Sequence, residues 1–170
     1  MATGFIPLRD VGGATTPASW AQEAFGACWK FDDTTPEMAR LGGVIPDNFD
    51  PATAPDLLVY YSMASATSGK LDMEAAAIII SADDPTDIDL AAADAVNAAN
   101  ETVPGTVGYP GLLTIPMTNF QNVNTGGADE DAAAGDLFVI EVERDADDGT
   151  DDTATGDAEV RAVVLRYTVA

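Results

Sequence analysis

The sequence has no histidine, one cysteine and two lysines among its 170 residues. Without histidine there can be no Ser-His-Asp triad, no imidazole base near neutral pH and no histidine metal ligand. The single cysteine, Cys28, cannot form an internal disulfide, and its apolar neighbours predict a small buried side chain. No Gly-Gly pair is followed by the Lys-Ser/Thr of a phosphate-binding loop. We therefore expect a protein that is not an enzyme.

Basic residues are scarce as a class. Seven Lys and Arg face 29 Asp and Glu, which gives a net charge of -22. This charge repels nucleic acid phosphates and anionic lipid headgroups, so we expect neither as a partner. Asp outnumbers Glu by 21 to 8, a pattern that resembles proteins working in strong salt, where the Debye length falls to about 3 Å. An ordinary acidic surface is the alternative.

Long hydrophobic runs are also missing. No apolar stretch reaches the length of about 18 residues that a membrane span needs. The N-terminus has no basic region followed by a long apolar one, so no secretory signal is visible. The sequence thus predicts a protein made in the cytoplasm that stays there, or leaves by lysis or an unusual route.

Short apolar runs are present instead, separated by 15 Gly and 10 Pro, and they predict strands and turns. A hydrophobic content of 46% suits one domain over residues 1–170, with residues 1–15 as a candidate N-terminal arm. We predict an all-β fold, a single antiparallel β-sandwich of jelly-roll type with about eight strands. The predicted strands are Phe5–Leu8, Ala18–Gln22, Ala27–Phe31, Asp56–Ala64, Lys70–Ser81, Gly111–Thr118, Gly135–Arg144 and Asp157–Val169.

Four segments are less regular. Thr35–Arg40 has a capping Thr, a Pro at the first helical position and Gly42 beyond, which predicts a short helical turn. Ile88–Asn100 is interpreted as a strand with a long loop. The polar, Gly-rich segments Asn122–Ala134 and Asp145–Gly156 are predicted to be the most mobile loops.

One acidic cluster has the composition of a metal site. Calcium takes about six to eight oxygen ligands in flexible geometry. The spacing is not that of an EF-hand, because counting from Asp145 puts Gly149 at position 5 instead of 6. We predict calcium or loosely held monovalent cations here and no other cofactor, with a solvated, repulsive loop as the alternative. The candidate ligands are Asp145, Asp147, Asp148, Asp151 and Asp152.

Apolar and aromatic residues supply candidate contact surfaces, because arms and sheet edges can pair with a neighbouring protein. We expect a homo-oligomer such as a trimer, with contacts from Phe5, Ile6, Leu8, Tyr60, Tyr61, Leu112 and Leu113. Aromatics could also form a sugar-stacking surface, although core or interface positions suit them as well. These aromatics are Trp20, Phe25, Trp29, Phe31, Phe49, Tyr60, Tyr61 and Phe120.

Five blocks in fixed order resemble a known family: Ala27–Glu37, Val44–Asp50, Ser65–Lys70, Ala134–Arg144 and Val164–Tyr167. Together they resemble small jelly-roll proteins of tailed bacterial and archaeal viruses. The most specific parts are the Gly-Asp turn whose strand ends at Arg144, and the terminal Tyr167. Arg144 can pair with acids at the strand end, and Tyr167 can bury its ring while its hydroxyl finds a partner.

The resemblance implies a capsid decoration, head fibre or tail appendage that binds a major capsid or other virion protein, with no catalytic residues. The heavy Asp load and scarce Lys depart from commoner members and point to a saline or halophilic host. We therefore expect a non-enzymatic virion protein assembled in the host cytoplasm. The alternatives are a cell-surface or extracellular filament subunit, which the missing export signal disfavours, and a carbohydrate-binding attachment module.

Overall fold

The computed structural model describes residues 1–14, 16–23, 26–81, 96–120, 122–125 and 128–170. Within these ranges every regular element is a strand, and no helix is long and apolar enough to cross a membrane. The strands in chain order are β1 (Thr3–Pro7), β2 (Arg9–Asp10), β3 (Ser19–Glu23), β4 (Gly26–Phe31), β5 (Glu37–Val44), β6 (Asp56–Met63), β7 (Lys70–Ile80), β8 (Asn97–Thr102), β9 (Gly111–Pro116), β10 (Asn122–Thr125), β11 (Ala128–Asp131), β12 (Leu137–Arg144) and β13 (Ala158–Thr168).

Two antiparallel sheets form the sandwich. The first sheet has the order β3-β4-β13-β6-β9, with β1 also paired to β13, and the second sheet has the order β2-β5-β12-β7-β8. Successive strands β4, β5, β6 and β7 alternate between the sheets, and β12 and β13 return to the middle of each. This wrapping of strand pairs around a common core is the jelly-roll connection, so the predicted fold class is confirmed.

Alternating side chains place one hydrophobic core between the sheets. In β12, Phe138, Ile140 and Val142 are buried, while Glu141 and Glu143 on the opposite face are half-buried. In β13 the register shifts between Val160 and Ala162. This bulge lets residues on both sides of Arg161 keep their apolar side chains in the core. The predicted environment of Tyr167 is confirmed as well: its side chain is 7% exposed and its hydroxyl donates to Asn48 Oδ1 at 2.9 Å.

The predicted helical turn at Thr35–Arg40 is wrong, because β5 begins at Glu37. Ala39 and Leu41 alternate into the core, and pairing along β12 outweighs a six-residue helical preference that is marginal in water. Gly42 is therefore not a helix end. A Cβ there would lie 2.9 Å from Val11 Cγ1 and 3.1 Å from the Phe138 carbonyl oxygen, so close packing requires glycine.

Three other predictions need adjustment. The segment predicted as an N-terminal arm is not free between residues 3 and 10, since β1 pairs with β13 and β2 with β5. Asn122–Ala134, expected as a loop, contains the β10–β11 hairpin. Within Ile88–Asn100, β8 begins at Asn97, and residues 88–95 lie outside the described residues. Cys28 is buried, as predicted.

Candidate functional site

The outer face of the second sheet changes character along its strands. At one end, Val44, Leu137 and Ile80 are directly paired across β5, β12 and β7. Further along the same strands, the corresponding row consists of Met38, Glu143 and Glu74. Because side chains on one face recur every second residue, the face is apolar at one end and acidic at the other.

A groove of about 980 Å³ lies over the apolar end. This volume falls in the range of small-ligand sites, about 300–1,000 Å³. Several of its side chains are open to solvent: Val11 is 55% exposed, Val44 52% and Leu137 48%. The aliphatic side chains that line the groove are Ile6, Val11, Val44, Ile78, Ile80, Leu137 and Val139.

Three charged residues also line the groove, and two of them are cations. Arg40 donates to Glu141 Oε1 from Nε at 2.7 Å, so its charge is compensated. Arg9 is exposed, and no ion pair in the described part of the chain involves it. Asp10 accepts hydrogen bonds from the Gly12 amide at 2.7 Å and from Trp20 Nε1 at 3.1 Å. A free guanidinium beside aliphatic side chains suits a ligand that is apolar and carries an anionic group.

The segment Asp145–Gly156 folds around Arg144, the last residue of β12 and fully buried. The Nε atom and one terminal nitrogen of Arg144 each donate to Asp152 at 2.8 Å. Its remaining N–H groups reach the carbonyl oxygens of Phe31, Ala154 and Gly156 at 2.6 to 3.3 Å. All five donors of the guanidinium therefore have an acceptor. The expected pairing of Arg144 with an acid is confirmed.

The acidic end holds a second group of carboxylates. Oxygen atoms of Asp72, Asp145 and Asp148 all lie within 4.8 Å of one another. Asp72 comes from β7 and is 5% exposed. Asp148 Oδ1 accepts the backbone amides of Thr150 at 2.8 Å and Asp151 at 3.3 Å, which fixes its orientation.

The pKa values of this group reflect burial and repulsion. Burial, followed by the charges of Asp151, Glu74, Asp148 and Asp152, raises the pKa of Asp72 to about 6. Burial also raises the pKa of Asp145 to about 6, with contributions from its hydrogen bond to Asp147 and from nearby acids. Hydrogen bonds from the Thr150 and Asp151 amides lower the pKa of Asp148. The protein thus holds closely spaced negative charge with little compensation.

The five predicted metal ligands separate into different environments. Asp145 and Asp148 come together, Asp151 pairs with Lys70 at 3.1 Å, Asp152 binds Arg144, and Asp147 is exposed. The sequence did not identify Asp72, because it alternates with buried residues between Lys70 and Glu74 and resembles part of a solvated strand face. Only the structure identifies Asp72 as a candidate, because it shows that the side chain is buried.

The predicted contact residues also separate. Leu8, Tyr61 and Leu113 are buried in the core of this chain and offer little surface to a partner. Phe5 is 59% exposed, Tyr60 40% and Leu112 42%, whereas Ile6 is half-buried and lines the groove. A contact through these four residues stays a prediction.

Most of the predicted sugar-stacking aromatics are core residues. Trp20 and Tyr60 are exposed, and Phe25 lies outside the described residues. The Trp20 ring lies 4.6 Å from that of Trp29, between ring centroids. The buried aromatics are Trp29, Phe31, Phe49, Tyr61 and Phe120.

No protein-family model and no curated protein matches the sequence. Among solved structures, the chain is similar to the family 11 carbohydrate-binding module of the cellulosomal cellulase Lic26A-Cel5E of Clostridium thermocellum, with a TM-score of 0.43 and 12% identity over 100% of this chain and 90% of that one. A mannan-recognising module, TmCBM27, gives a TM-score of 0.42 and 12% identity, covering 99% and 100%. The jelly-roll assignment rests on the strand order, and these likenesses assign no ligand to this chain.

Proposed function

We propose that this chain is a non-catalytic structural subunit of a tailed-virus particle, a capsid decoration or appendage that attaches to a neighbouring virion protein through the groove. The observation that carries the proposal is the groove itself, on a chain of net charge -22. Its surface is apolar, and its Arg9 forms no ion pair with any residue that the structure describes. The five sequence blocks that resemble small virion jelly-roll proteins support the particle type.

The groove supports attachment because several of its apolar side chains are exposed to water, and a complex with a partner that covers them would be stabilised by their burial. Val44 and Leu137 are direct cross-strand partners, and both are about half exposed. Exposed apolar surface that forms one patch is typical of a site that another molecule covers. Covering it removes apolar area from water, which stabilises a complex by about 25 cal/mol per Å² before the costs of association.

The occupant that fits is an extended apolar segment of the neighbouring protein carrying a carboxylate. The apolar part would lie on the row formed by Val44 and Leu137, and the carboxylate would meet Arg9. A charge-assisted pair of this kind adds orientation as well as affinity. A second copy of this chain fits less well, because its own net charge of -22 would be repelled by the same net charge on the first copy. The expected homotrimer stays a prediction.

Incorporation into particles tests the proposal. Virus would be produced with the wild-type gene, with Val44→Asp, and with Val107→Asp as a matched control at a 46% exposed valine outside the groove. Mass spectrometry of gradient-purified particles should find the wild type and the control, and should find the groove variant depleted at least about tenfold. Thermal melts of each purified protein establish that both variants fold.

The two parts of the proposal fail separately. Absence of the wild-type protein from purified particles, or its presence only in cellular filaments, would overturn the virion role. Normal incorporation of the folded Val44→Asp protein would overturn attachment through the groove and leave the virion role standing.

The saline host is a separate part of the proposal. If the acid excess is an adaptation to salt, the thermal midpoint should rise steeply between dilute buffer and molar salt, in sodium and potassium chloride alike. A flat response would remove this part.

Carbohydrate binding is the second candidate function, and one observation favours it. Trp20 is 57% exposed, and its indole N–H is held by Asp10, which lines the groove next to Arg9. An aromatic ring held by a carboxylate can stack on a sugar ring, and the carboxylate can accept hydrogen bonds from the sugar hydroxyls.

A glycan array in molar salt tests this candidate. Binding by the wild type should be lost in Trp20→Ala and retained in Tyr109→Ala, a control at a 61% exposed aromatic, whereas Trp20 is hydrogen-bonded to the groove residue Asp10. Absence of wild-type binding, or equal losses in both variants, would count against a sugar site at Trp20.

A further inference from the structure

The acidic end of the second sheet contains a buried carboxylate without a counter-charge. Asp72 is 5% exposed, and its Oδ1 has no hydrogen-bond partner among the described residues. Leaving a buried anionic oxygen unpaired is costly, and buried charges in proteins are normally paired or coordinate a metal. Asp72 therefore needs a positive group that the structure must supply or bind.

Two basic side chains pair with acids of the Asp145–Gly156 segment, and both use partners other than Asp72. Lys70 pairs with Asp151 at 3.1 Å, and Arg144 uses both of its charge-assisted bonds on Asp152. The neighbours that Asp72 does have are acids, Asp145 and Asp148, whose oxygens lie within 4.8 Å of its own and of each other. Among the described residues, no basic side chain forms an ion pair with Asp72, Asp145 or Asp148.

From this geometry we propose that Asp72, Asp145 and Asp148 bind one calcium ion. Calcium takes oxygen ligands at about 2.3–2.6 Å, so two oxygens that share the ion can lie up to about 5 Å apart. The three carboxylates meet this limit. Water can complete the coordination, since two of the three residues are only partly buried.

The backbone prepares the site for the ion. Asp148 is oriented by the Thr150 and Asp151 amides, and the Asp145 amide is directed at the Asp72 carbonyl oxygen at 3.4 Å. Strand β7 and the segment after β12 are thus positioned against each other by main-chain contacts. A bound ion would join the same two segments through their side chains, which predicts that calcium stabilises the fold.

A second acidic group provides an internal control. Oxygens of Asp32, Asp33 and Asp157 also lie within 4.8 Å of one another, but all three residues are only partly buried. Asp32 accepts hydrogen bonds from the Thr34 and Thr35 amides at 2.7 and 3.1 Å. This group has no fully covered carboxylate of the kind that Asp72 represents, so we do not assign an ion to it.

Calorimetric titration of CaCl2 into the metal-stripped, full-length protein tests the proposal, in NaCl at constant ionic strength. The wild type should bind with a dissociation constant between micromolar and millimolar, and calcium should raise its thermal midpoint where equal ionic strength of NaCl does not. Asp72→Asn should weaken binding at least about tenfold. Asp157→Asn, which removes the same charge from the second group, should leave the affinity unchanged.

Asp148→Asn is a second test that preserves the fold, because the amide oxygen can still accept the Thr150 and Asp151 amides. It should weaken calcium binding as Asp72→Asn does. Absence of saturable binding to the wild type would overturn the proposal. So would wild-type affinity in both of these variants, or a loss of affinity confined to Asp157→Asn.

Discussion

The Asp145–Gly156 segment contacts two buried carboxylates, Asp152 within the segment and Asp72 of β7, and their surroundings are opposite in charge. Asp152 and Asp72 are adjacent, since the Asp72 amide donates to Asp152 Oδ2 at 3.2 Å, and both are buried, at 8% and 5% exposure. Asp152 accepts two hydrogen bonds from one edge of the Arg144 guanidinium, at Nε and one terminal nitrogen. Asp72 faces Asp145 and Asp148 instead.

The difference shows how an acidic chain can organise a loop with few cations. At the Asp152 end, the counter-charge is the side chain of Arg144. The same guanidinium also donates hydrogen bonds to three backbone carbonyl oxygens. At the other end, under the calcium proposal, the counter-charge comes from solution. Stability at the first end should therefore depend on the side chain, and at the second end on the ions present.

Removing Arg144 should have the largest effect. Arg144→Met leaves Asp152 buried without its counter-charge, so we expect the free energy of unfolding to fall by about 3–5 kcal/mol. Urea unfolding in molar NaCl measures it. The control is Arg166→Met, whose pair with Asp56 at 2.7 Å is 42% and 33% exposed and should contribute less than about 1 kcal/mol. Similar losses in the two variants would contradict the comparison.

Removing both charges should restore part of that loss. In Arg144→Met with Asp152→Leu no buried charge is left, and we expect about 2 kcal/mol of the free energy of unfolding to return. Recovery should be incomplete, because the carbonyl oxygens of Phe31, Ala154 and Gly156 lose their donors. A double-mutant cycle on urea unfolding measures the coupling, and additive losses would show that the two charges do not act as a pair.

The same substitution at the two carboxylates should have opposite signs. With a chelator present, Asp72→Asn removes an uncompensated charge and should raise the free energy of unfolding by about 1 kcal/mol. Asp152→Asn leaves Arg144 without its anion and should lower it by about 2 kcal/mol. Urea unfolding of both variants in EDTA decides, and a loss of stability in both would mean that Asp72 has a partner in the folded chain.

The faces of β12 could be predicted from the sequence because period-two alternation is kept throughout Phe138–Arg144. The strands β6 and β7 are buried on both faces for most of their length, so they could be predicted only as short apolar runs bounded by turn residues. The β5 strand could not, because Pro36, Gly42 and the residues between them satisfy a local helix pattern, and only pairing with β12 decides against it. The candidate ligands Asp145 and Asp148 were found by composition. Asp72 was missed because its burial depends on a segment 73 residues further along the chain, from Asp72 to Asp145.

Removing the exposed ion pair between Lys70 and Asp151 should have the smallest effect on the free energy of unfolding. Lys70 Nζ lies 3.1 Å from Asp151 Oδ1, with side chains 45% and 41% exposed. Water and salt screen such a pair, so Lys70→Met should change the free energy of unfolding by less than about 0.5 kcal/mol, and by less still in molar NaCl.

The Lys70 backbone should be unaffected by this change, because its carbonyl oxygen accepts the Thr153 and Ala154 amides at 2.9 and 2.8 Å whatever the side chain. Urea unfolding at low and molar NaCl measures the effect. A loss as large as that of Arg144→Met would mean that the Lys70 charge, and not a bound cation, compensates the acids around Asp72, and the two ends would then differ only in which side chain neutralises them.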